Sequence, residues 1–266
     1  DVGGTFTDFV LVDENRDIIF TGKRLTTSDD PSAAIIDGLK RLVEESDTTV
    51  PDLDAVVHGT TLITNTIIQR SGAKVGLITT KGFRDSLEMG REIRYDLYDL
   101  FFEKPDPLAP RFLRLEIPER VNASGEVLLT LDEVALRTAA HQLADEGVEA
   151  IAVCFMHAYA NDAHERRAKE ILQAELADIP ITTSTEVAPE IREYERANTA
   201  CANAYVLPLM RHYLGDLSDK LTGLGLKQPL YLMLSGGGIA SVATGRETPI
   251  HLIESGPAAG AMAGAF

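Results

Sequence analysis

The chain begins with DVGGTFTD (residues 1–8), a run of small and hydroxylic residues flanked by two aspartates. The fold of this run is the starting point for predicting the fold of the chain. Because Gly3 and Gly4 have no Cβ, the backbone N–H groups of a turn built on them can approach a phosphate closely. Thr5 and Thr7 add hydroxyl donors. The run therefore predicts a turn between two strands that holds the terminal phosphates of a nucleotide.

The two flanking carboxylates extend this interpretation. Asp1 and Asp8 supply hard oxygen ligands, directly or through water, of the kind that Mg²⁺ takes when it accompanies a nucleotide. Two adjacent glycines taken alone indicate only a tight β-turn, which is the plain alternative. The combination of both carboxylates with two threonines in eight residues favours a Mg²⁺–nucleotide site, in which Asp8 is also a candidate catalytic residue.

Apolar periodicity downstream predicts an α/β chain with a mixed sheet and flanking helices. Two apolar runs, at 9–12 and 17–20, are joined by a polar turn, which is the pattern of a β-hairpin. Asp30 and Pro31 then open a helix, as an N-cap and a first-turn residue do. From there strands alternate with helices, an arrangement typical of parallel strands in one sheet.

The alternation is interrupted at about 82–127, where prolines, glycines and charges predict an insertion or a lid-like region. We therefore divide the chain into an N-terminal lobe, residues 1–188, which carries the insertion, and a second part, residues 189–266. The second part comprises linking helices and the beginning of a further lobe. Because residue 1 is not a methionine and the last residues are an uninterrupted apolar stretch, we expect a fragment of a longer polypeptide.

A glycine run follows a predicted strand near the C-terminus. Gly236, Gly237 and Gly238 lie between that strand and a predicted helix, where they would form a second nest of backbone donors. A simple loop is an equal alternative.

Earlier in the chain, at residues 84–96, lies a run of mixed charge. It is most simply a solvated face or a subunit contact, although Arg91 or Arg94 within it could reach an anionic substrate.

Two further motifs are candidate parts of the site. Ser255 and Gly256 open a helix, where small residues permit either contact with the cofactor or tight helix packing. His58 and Thr60 follow a strand directly, at the position where α/β sheets usually bind ligands. His58 is a candidate catalytic residue, as a general acid or base, and Thr60 is a candidate catalytic residue that contacts the ligand. A structural histidine and a helix N-cap are the alternatives.

Charge and cysteine content limit the class of partner. The 266 residues include 25 Lys and Arg against 41 Asp and Glu, a net charge of −16. This disfavours nucleic acid or an anionic membrane as the main partner, because both require a basic face. No apolar run reaches the roughly 18 residues of a membrane helix. Cys154 and Cys201 are too few for a disulfide framework, so we expect a cytoplasmic protein.

Taken together, the motifs resemble those of the hydantoinase/oxoprolinase family, in its larger, ATP-binding (A-type) subunit. The matching stretches are DVGGTFTD (1–8), HGTTLITNTI (58–67), ITTKGFRDSLEMGR (78–91), YDLYDLFFEKPDPLAPRFLRLEIPERV (95–121), EYERANTACANAYVLP (193–208), LSGGGIAS (234–241) and ESGPAAGA (254–261). The first alone is shared with many actin-like ATPases and sugar kinases. The whole set, in this order, is specific to the family.

The resemblance implies the actin-like ATPase fold, in which two ribonuclease-H-like lobes enclose a nucleotide cleft, with residues 1–8 as its first phosphate loop. The family's second Gly-Gly-Thr loop does not occur before Phe266, so the second lobe is expected to be incomplete. The resemblance also implies ATP and Mg²⁺ as cofactors. The implied reaction is ATP-dependent hydrolysis of a cyclic amide, of the hydantoin, N-methylhydantoin or 5-oxoproline type, through phosphorylation of a carbonyl oxygen. The implied partner is a second, B-type subunit or domain.

Three alternatives remain open. The chain would be part of an ATP-dependent ketone carboxylase, which also falls within the family. It would be a small-molecule kinase of the same fold, which releases a phosphorylated acceptor rather than an opened ring. Or it would be a non-catalytic ATP-binding scaffold, with which the acidic surface and the charged run are compatible.

Overall fold

The computed structural model describes residues 1–27, 30–91 and 98–263. The strands are β1 Phe6–Asp13, β2 Ile18–Leu25, β3 Val56–His58, β4 Val75–Thr80, β5 Arg114–Ile117, β6 Arg120–Val121, β7 Val127–Leu129, β8 Ala150–Cys154, β9 Ile181–Thr183, β10 Leu230–Met233 and β11 Ile239–Ser241. The α-helices are α1 Pro31–Glu45, α2 Leu62–Ile68, α3 Ser86–Met89, α4 Glu133–Asp145, α5 Ala163–Glu175, α6 Ser184–Val187, α7 Glu193–Gly223, α8 Val242–Glu247 and α9 Ser255–Ala263. Short 3₁₀ turns lie at Val50–Asp52, Arg111–Leu113 and Pro249–Leu252.

Packing divides the chain into two compact units. The first unit comprises Asp1–Ser71 with Leu209–Phe266, and the second comprises Gly72–Pro208. The long helix α7 contributes residues to both. The domain ranges predicted from the sequence, 1–188 and 189–266, are consecutive stretches of chain, whereas these units are defined by contacts in space. The predicted ranges stay a prediction.

The first unit contains the predicted hairpin and a mixed sheet. β1 pairs antiparallel with β2 from Phe6 opposite Leu25 onward. β3 pairs parallel with β10, and β11 pairs antiparallel with β10. Val2 forms an antiparallel bridge to Thr7 and a parallel bridge to Thr60. The strand segments therefore adjoin in the order β2, β1, Val2, β3, β10 and β11, which confirms the predicted α/β class with a mixed sheet.

Helix α1 packs on the hairpin through a glycine. Asp30 caps the helix, since its carboxylate accepts a hydrogen bond from the Ala33 N–H. A Cβ placed on Gly38 would stand 2.2 Å from the Phe9 ring, so the absence of a side chain there lets the ring lie against the helix. The predicted helix start at Asp30 and Pro31 is therefore confirmed, and α1 lies across one face of the hairpin.

The second unit is built on a four-stranded parallel sheet in the order β5, β4, β8, β9. Every residue of β4 and β8 is buried, as expected for central strands of a parallel sheet. The core of this unit includes the fully buried side chains Ile78, Leu113, Ile117, Leu136, Leu143, Ile151 and Leu172. β6 and β7 form a separate antiparallel ribbon.

The predicted insertion at about 82–127 is only partly separate from this sheet. Its second half supplies the edge strand β5, and Leu113 and Ile117 belong to the core, so that part is not a lid. The apolar residues are spread among prolines and charges, which concealed the strand in the sequence. Residues 92–97, and with them Arg94, lie outside the described residues.

Within the described part of the chain, none of the helices has the length and apolar character that crossing a lipid bilayer requires.

Candidate functional site

The glycines of the opening run form a closed turn before β1. The N–H of Gly3 donates to the carbonyl of Phe6 over 2.9 Å, and a Cβ placed on Gly3 would stand 3.0 Å from that carbonyl oxygen. A Cβ on Gly4 would stand 3.1 Å from Nδ2 of Asn65. Within residues 1–27, 30–91 and 98–263, the structure shows no acceptor for the N–H groups of Gly4 and Thr5. These two groups are therefore the candidate phosphate donors, since the Gly3 N–H closes the turn.

The two aspartates of the run are paired through their backbones. The Asp8 N–H donates to the Asp1 carbonyl over 2.9 Å, and the Asp1 nitrogen donates to the Asp8 carbonyl over 2.8 Å. Residues that are paired in this way across antiparallel strands point to the same face of the sheet. Asp1 and Asp8 therefore present two carboxylates on one face, next to the turn.

This donor set fits Mg²⁺ in company with a nucleotide. Mg²⁺ is usually held by one or two carboxylates together with phosphate oxygens and water, rather than by a cage of protein groups. The part of the chain that the structure describes contains no cluster of three or more His, Cys, Asp or Glu able to hold a metal ion. Phosphate oxygens and water would thus complete the shell that Asp1 and Asp8 begin.

Two other predicted motifs lie against the Asp1 carboxylate. A Cβ placed on Gly59 would stand 3.0 Å from Oδ1 of Asp1, and one placed on Gly256 would stand 3.1 Å from Oδ1 and 3.2 Å from Oδ2. The buried Ser255 hydroxyl accepts a hydrogen bond from the Thr60 N–H and donates to the Thr60 carbonyl, each over 3.2 Å. The fold thus brings together residues from three separate stretches of sequence: Asp1, the Gly59–Thr60 segment, and the start of α9.

Thr7 supports the turn from beneath. Its side chain is buried, and its hydroxyl lies 3.0 Å from that of Thr26, which in turn donates to the Gly3 carbonyl over 2.9 Å. Thr26 was missed by the sequence analysis. The signal that could have found it is the hairpin register, which places Thr26 opposite Thr5, where its N–H donates to the Thr5 carbonyl over 2.9 Å.

Lys23 is the other missed residue of the hairpin. It lies opposite Asp8 in the register of β1 and β2, and its ammonium is 3.2 Å from Oδ1 of Asp8. Both side chains are more than half exposed. The charge beside the two carboxylates is therefore partly balanced by a cation that the opening run itself does not contain.

His58 and Thr60 are both engaged in local structure. Nε2 of the buried His58 lies 2.9 Å from the Tyr213 hydroxyl, and burial lowers the pKa of His58 to about 3. Burial also raises the pKa of Tyr213, so both groups are neutral at neutral pH. The Thr60 hydroxyl accepts a hydrogen bond from the Leu62 N–H over 3.1 Å at the start of α2. The catalytic roles of His58 and Thr60 stay predictions.

The glycine run of residues 236–238 is a hairpin turn. The Leu234 N–H donates to the Gly238 carbonyl over 2.8 Å, and Gly237 has a φ of +84°. The helix predicted directly after the glycines is wrong at that point, because the turn leads into β11 and α8 begins only at Val242. A glycine with positive φ reverses the strand on itself, a geometry that the sequence pattern alone does not distinguish from a loop.

The hairpin turn still lies at the edge that carries the candidate site. β3 and β10 are parallel neighbours, so their carboxyl ends, which lead into Gly59 and into the turn, share one edge of the sheet. A Cβ placed on Gly236 meets nothing within 4 Å, so this glycine faces open space. Contact of these glycines with a nucleotide stays a prediction.

Fold and site together define an α/β protein with a glycine turn set between two paired carboxylates. The chain belongs to the hydantoinase/oxoprolinase family: the model of the hydantoinase/oxoprolinase N-terminal region matches residues 1–176, and the hydantoinase/oxoprolinase model matches residues 196–265. The resemblance inferred from the sequence motifs is confirmed.

Individual relatives cover the whole of the chain. An uncharacterised protein of Methanocaldococcus jannaschii is 40% identical over 100% of this chain and 39% of its own length. The alpha subunit of caprolactamase from Pseudomonas jessenii is 36% identical over 99% of this chain and 39% of its own length. The present chain therefore spans about two fifths of the length of these relatives.

Two solved structures share the fold. The crystal structure of the ATP-dependent caprolactamase from Pseudomonas jessenii matches with a TM-score of 0.91 at 36% identity, over 99% of this chain and 39% of that one. The nucleotide-free structure of acetone carboxylase, described in terms of ATP-dependent acetone carboxylation, matches with a TM-score of 0.88 at 28% identity, over 98% of this chain and 39% of that one.

Proposed function

We propose that the polypeptide to which this chain belongs is an ATP-dependent cyclic amidohydrolase that phosphorylates the carbonyl oxygen of its substrate. The observation that carries the proposal is the pair of carboxylates, Asp1 and Asp8, which lie on one face of the sheet beside the glycine turn. The similarity to an ATP-dependent caprolactamase, whose named substrate is a cyclic amide, supports the choice of substrate class.

In this proposal the first unit holds the phosphate end of Mg²⁺–ATP. Asp1 and Asp8 bind the metal, and the N–H groups of Gly4 and Thr5 donate to phosphate oxygens. Preorganised donors and charges of this kind are the main contribution that proteins make to phosphoryl transfer. The mixed sheet that runs from the hairpin through Val2 to β3 and β10 supports an actin-like ATPase lobe.

The energetic reason for ATP lies in the substrate. An amide carbonyl is a poor electrophile, and its nitrogen is a poor leaving group. When bound, Mg²⁺–ATP would supply the phosphoryl group that makes the carbonyl carbon open to attack by water. The ring C–N bond would then break, with a proton taken up by the nitrogen, and phosphate would leave when a second water completes the carboxylate. Ser255, through its two hydrogen bonds to Thr60, keeps α9 against the Asp1 carboxylate and so keeps the metal ligands in place.

Ring opening is assigned to a partner. The caprolactamase relative is named as an alpha subunit, which supports a second, B-type subunit or domain that acts on the activated carbonyl. A cytoplasmic location is proposed as well, because Cys154 and Cys201 are both free thiols. Both thiols are buried, which raises the pKa of Cys154 and of Cys201 to about 12 and leaves them unreactive at neutral pH.

Ketone carboxylation is the second candidate function. The match to acetone carboxylase over 98% of this chain supports it. The same glycine turn would then hold the ATP that activates bicarbonate or a ketone instead of an amide. The two candidates share the role of the first unit and differ in the acceptor and in the partner.

An isotope experiment tests the proposal. The full polypeptide, with its partner subunit, receives Mg²⁺–ATP and a series of lactams, hydantoins and 5-oxoproline labelled with ¹⁸O at the carbonyl. If that oxygen is phosphorylated and its bond to carbon then breaks, ¹⁸O appears in inorganic phosphate, with one ADP formed for each ring opened. Parallel reactions contain a ketone and bicarbonate.

Each outcome selects a function. Ring opening without ADP contradicts ATP dependence. Ring opening with ADP, in which the label appears neither in phosphate nor in a trapped phosphorylated intermediate, contradicts oxygen phosphorylation. A carboxylated product with no opened ring favours the carboxylase. A stable phosphorylated acceptor indicates a kinase, and the absence of any turnover by the folded complex indicates a scaffold.

A further inference from the structure

Lys23 completes a row of charges that crosses three strand segments. It lies opposite Asp8 in the β1–β2 register, and Asp8 is itself paired with Asp1 through two backbone hydrogen bonds. Because directly opposed residues share a face, the three side chains stand in line on the same face of the sheet. The row has two carboxylates and one ammonium, hence a net charge of −1.

A second contact keeps the ammonium at the mouth of the turn. Nζ of Lys23 lies 4.8 Å from the centroid of the Phe6 ring, within the range of a cation–π interaction. Phe6 is the residue whose carbonyl closes the glycine turn by accepting from the Gly3 N–H. The cation therefore lies against the side chain of the residue that directly follows Thr5, one of the two candidate phosphate donors.

The ion pair of Lys23 with Asp8 is easily exchanged. The side chains are 59% and 53% exposed, and ion pairs with such exposure contribute little to stability. A metal ion bound to Asp8 would occupy the carboxylate oxygen that now accepts from the ammonium. Lys23, with a flexible stem and three donors, is then free to turn to a phosphate oxygen nearby.

We propose that Lys23 exchanges partners when nucleotide binds: its ammonium pairs with Asp8 in the free protein and binds a terminal phosphate oxygen in the Mg²⁺–nucleotide complex. Lys23 is then the residue that favours a triphosphate over a diphosphate, because the additional negative charge interacts with its ammonium. This inference rests on the proposed function of the turn as a Mg²⁺–nucleotide site.

Calorimetry on the full polypeptide with its partner tests the exchange. We compare Mg²⁺–ATP and Mg²⁺–ADP binding by the wild type, Lys23→Met, Lys23→Arg and Lys40→Met. Lys40 is an exposed lysine on α1 and provides a control with the same loss of charge. Loss of one charged hydrogen bond predicts a weakening of Mg²⁺–ATP affinity by about tenfold or more in Lys23→Met. Mg²⁺–ADP affinity should change by less than about threefold, Lys23→Arg should retain most of the affinity, and Lys40→Met should match the wild type.

The outcomes separate the inference from the function on which it rests. If the wild type binds Mg²⁺–ATP and Lys23→Met binds it equally well, Lys23 does not contact phosphate and the proposal is overturned. An equal loss for ATP and ADP overturns the preference for the triphosphate. If the folded wild type binds neither nucleotide, the proposed nucleotide site itself fails.

A further variant, Lys23→Gln, keeps part of the side-chain stem and its polarity. It should lose ATP affinity as Lys23→Met does. Its thermal unfolding should remain that of the wild type, because the site is exposed.

Discussion

The carboxylate of Asp1 lies directly against Gly256, so that a Cβ on this glycine would stand 3.1 Å from Oδ1 and 3.2 Å from Oδ2. Gly256 is the second residue of α9, where alanine is compatible with the backbone. The two residues are 255 positions apart, and the carboxylate occupies the space that a side chain at this point of the helix would need.

This relationship predicts that Gly256→Ala displaces Asp1 without unfolding the protein. Mg²⁺-dependent ATP affinity should fall by about tenfold, since misplacement of one metal ligand costs that order of affinity. Thermal stability should hold or rise slightly, because alanine is favoured over glycine in helices by up to about 1 kcal/mol. Gly236→Ala is the matched control, because a Cβ there meets nothing within 4 Å. Equal nucleotide affinity in the two variants would show that the lack of a side chain at Gly256 is not what positions the Asp1 carboxylate.

Removal of the second carboxylate should abolish most of the turnover. Asp8→Asn in the intact enzyme should reduce Mg²⁺-dependent ATP hydrolysis by at least about tenfold, because an amide is a poorer ligand for a hard cation than a carboxylate. Asp17→Asn makes the same chemical change in the polar turn at the other end of the hairpin, and there asparagine suits the φ of +54°. Steady-state phosphate release measures both variants. Unchanged turnover in Asp8→Asn would remove this residue from the metal site.

Because His58 is buried, we expect the free energy of unfolding to depend on pH. Burial lowers its pKa from 6.5 to about 3, so below pH 6.5 the unfolded chain takes up a proton that the folded chain does not. The contribution of His58 is therefore fully present above pH 6.5 and is lost as the pH falls toward 3, by up to about 1.4 kcal/mol per pH unit.

Denaturant unfolding at pH 7, 6 and 5 checks this dependence. His58→Gln keeps a hydrogen-bonding group near the Tyr213 hydroxyl but does not titrate, so its stability should fall less steeply with acid than that of the wild type. His212→Gln, at an exposed position of α7, should keep the wild-type slope. Parallel curves for the wild type and His58→Gln would show that His58 is not buried in its neutral form.

The contact of α1 with the hairpin predicts a loss of stability in Gly38→Ala. The added methyl group would overlap the Phe9 ring, with 2.2 Å between Cβ and Cζ, and overpacking of this kind costs about 1–3 kcal/mol. Gly223→Ala adds the same methyl group at the last residue of α7, where nothing lies within 4 Å. The free energies of unfolding should therefore decrease only in the first variant. A Gly38→Ala protein as stable as the wild type would mean that Phe9 moves aside freely.

Much of the local structure could be predicted because it depends on neighbours in sequence. The hairpin followed from two apolar runs around a polar turn, and the start of α1 followed from an N-cap beside a proline. The glycine run at 236–238 shows the limit of this reasoning. Its composition agrees equally with a loop before a helix and with a tight hairpin, and the choice depended on whether residues 239–241 could pair with β10. The edge strand β5 was missed for the same reason, since its place in the sheet depends on pairing with the distant strand β4.

By itself the sequence determined the α/β class, the opening turn with its two carboxylates, and the family, because glycine spacing and residue type are local properties. Only the tertiary structure decided which distant residues complete the site. Strand register places Lys23 beside Asp8 and Thr26 beneath Gly3, and packing of α9 brings Gly256 against Asp1 and Ser255 against Thr60. These pairings depend on the alignment of strands and on the position of a helix from the far end of the chain, and no pattern of neighbouring residues encodes such distances.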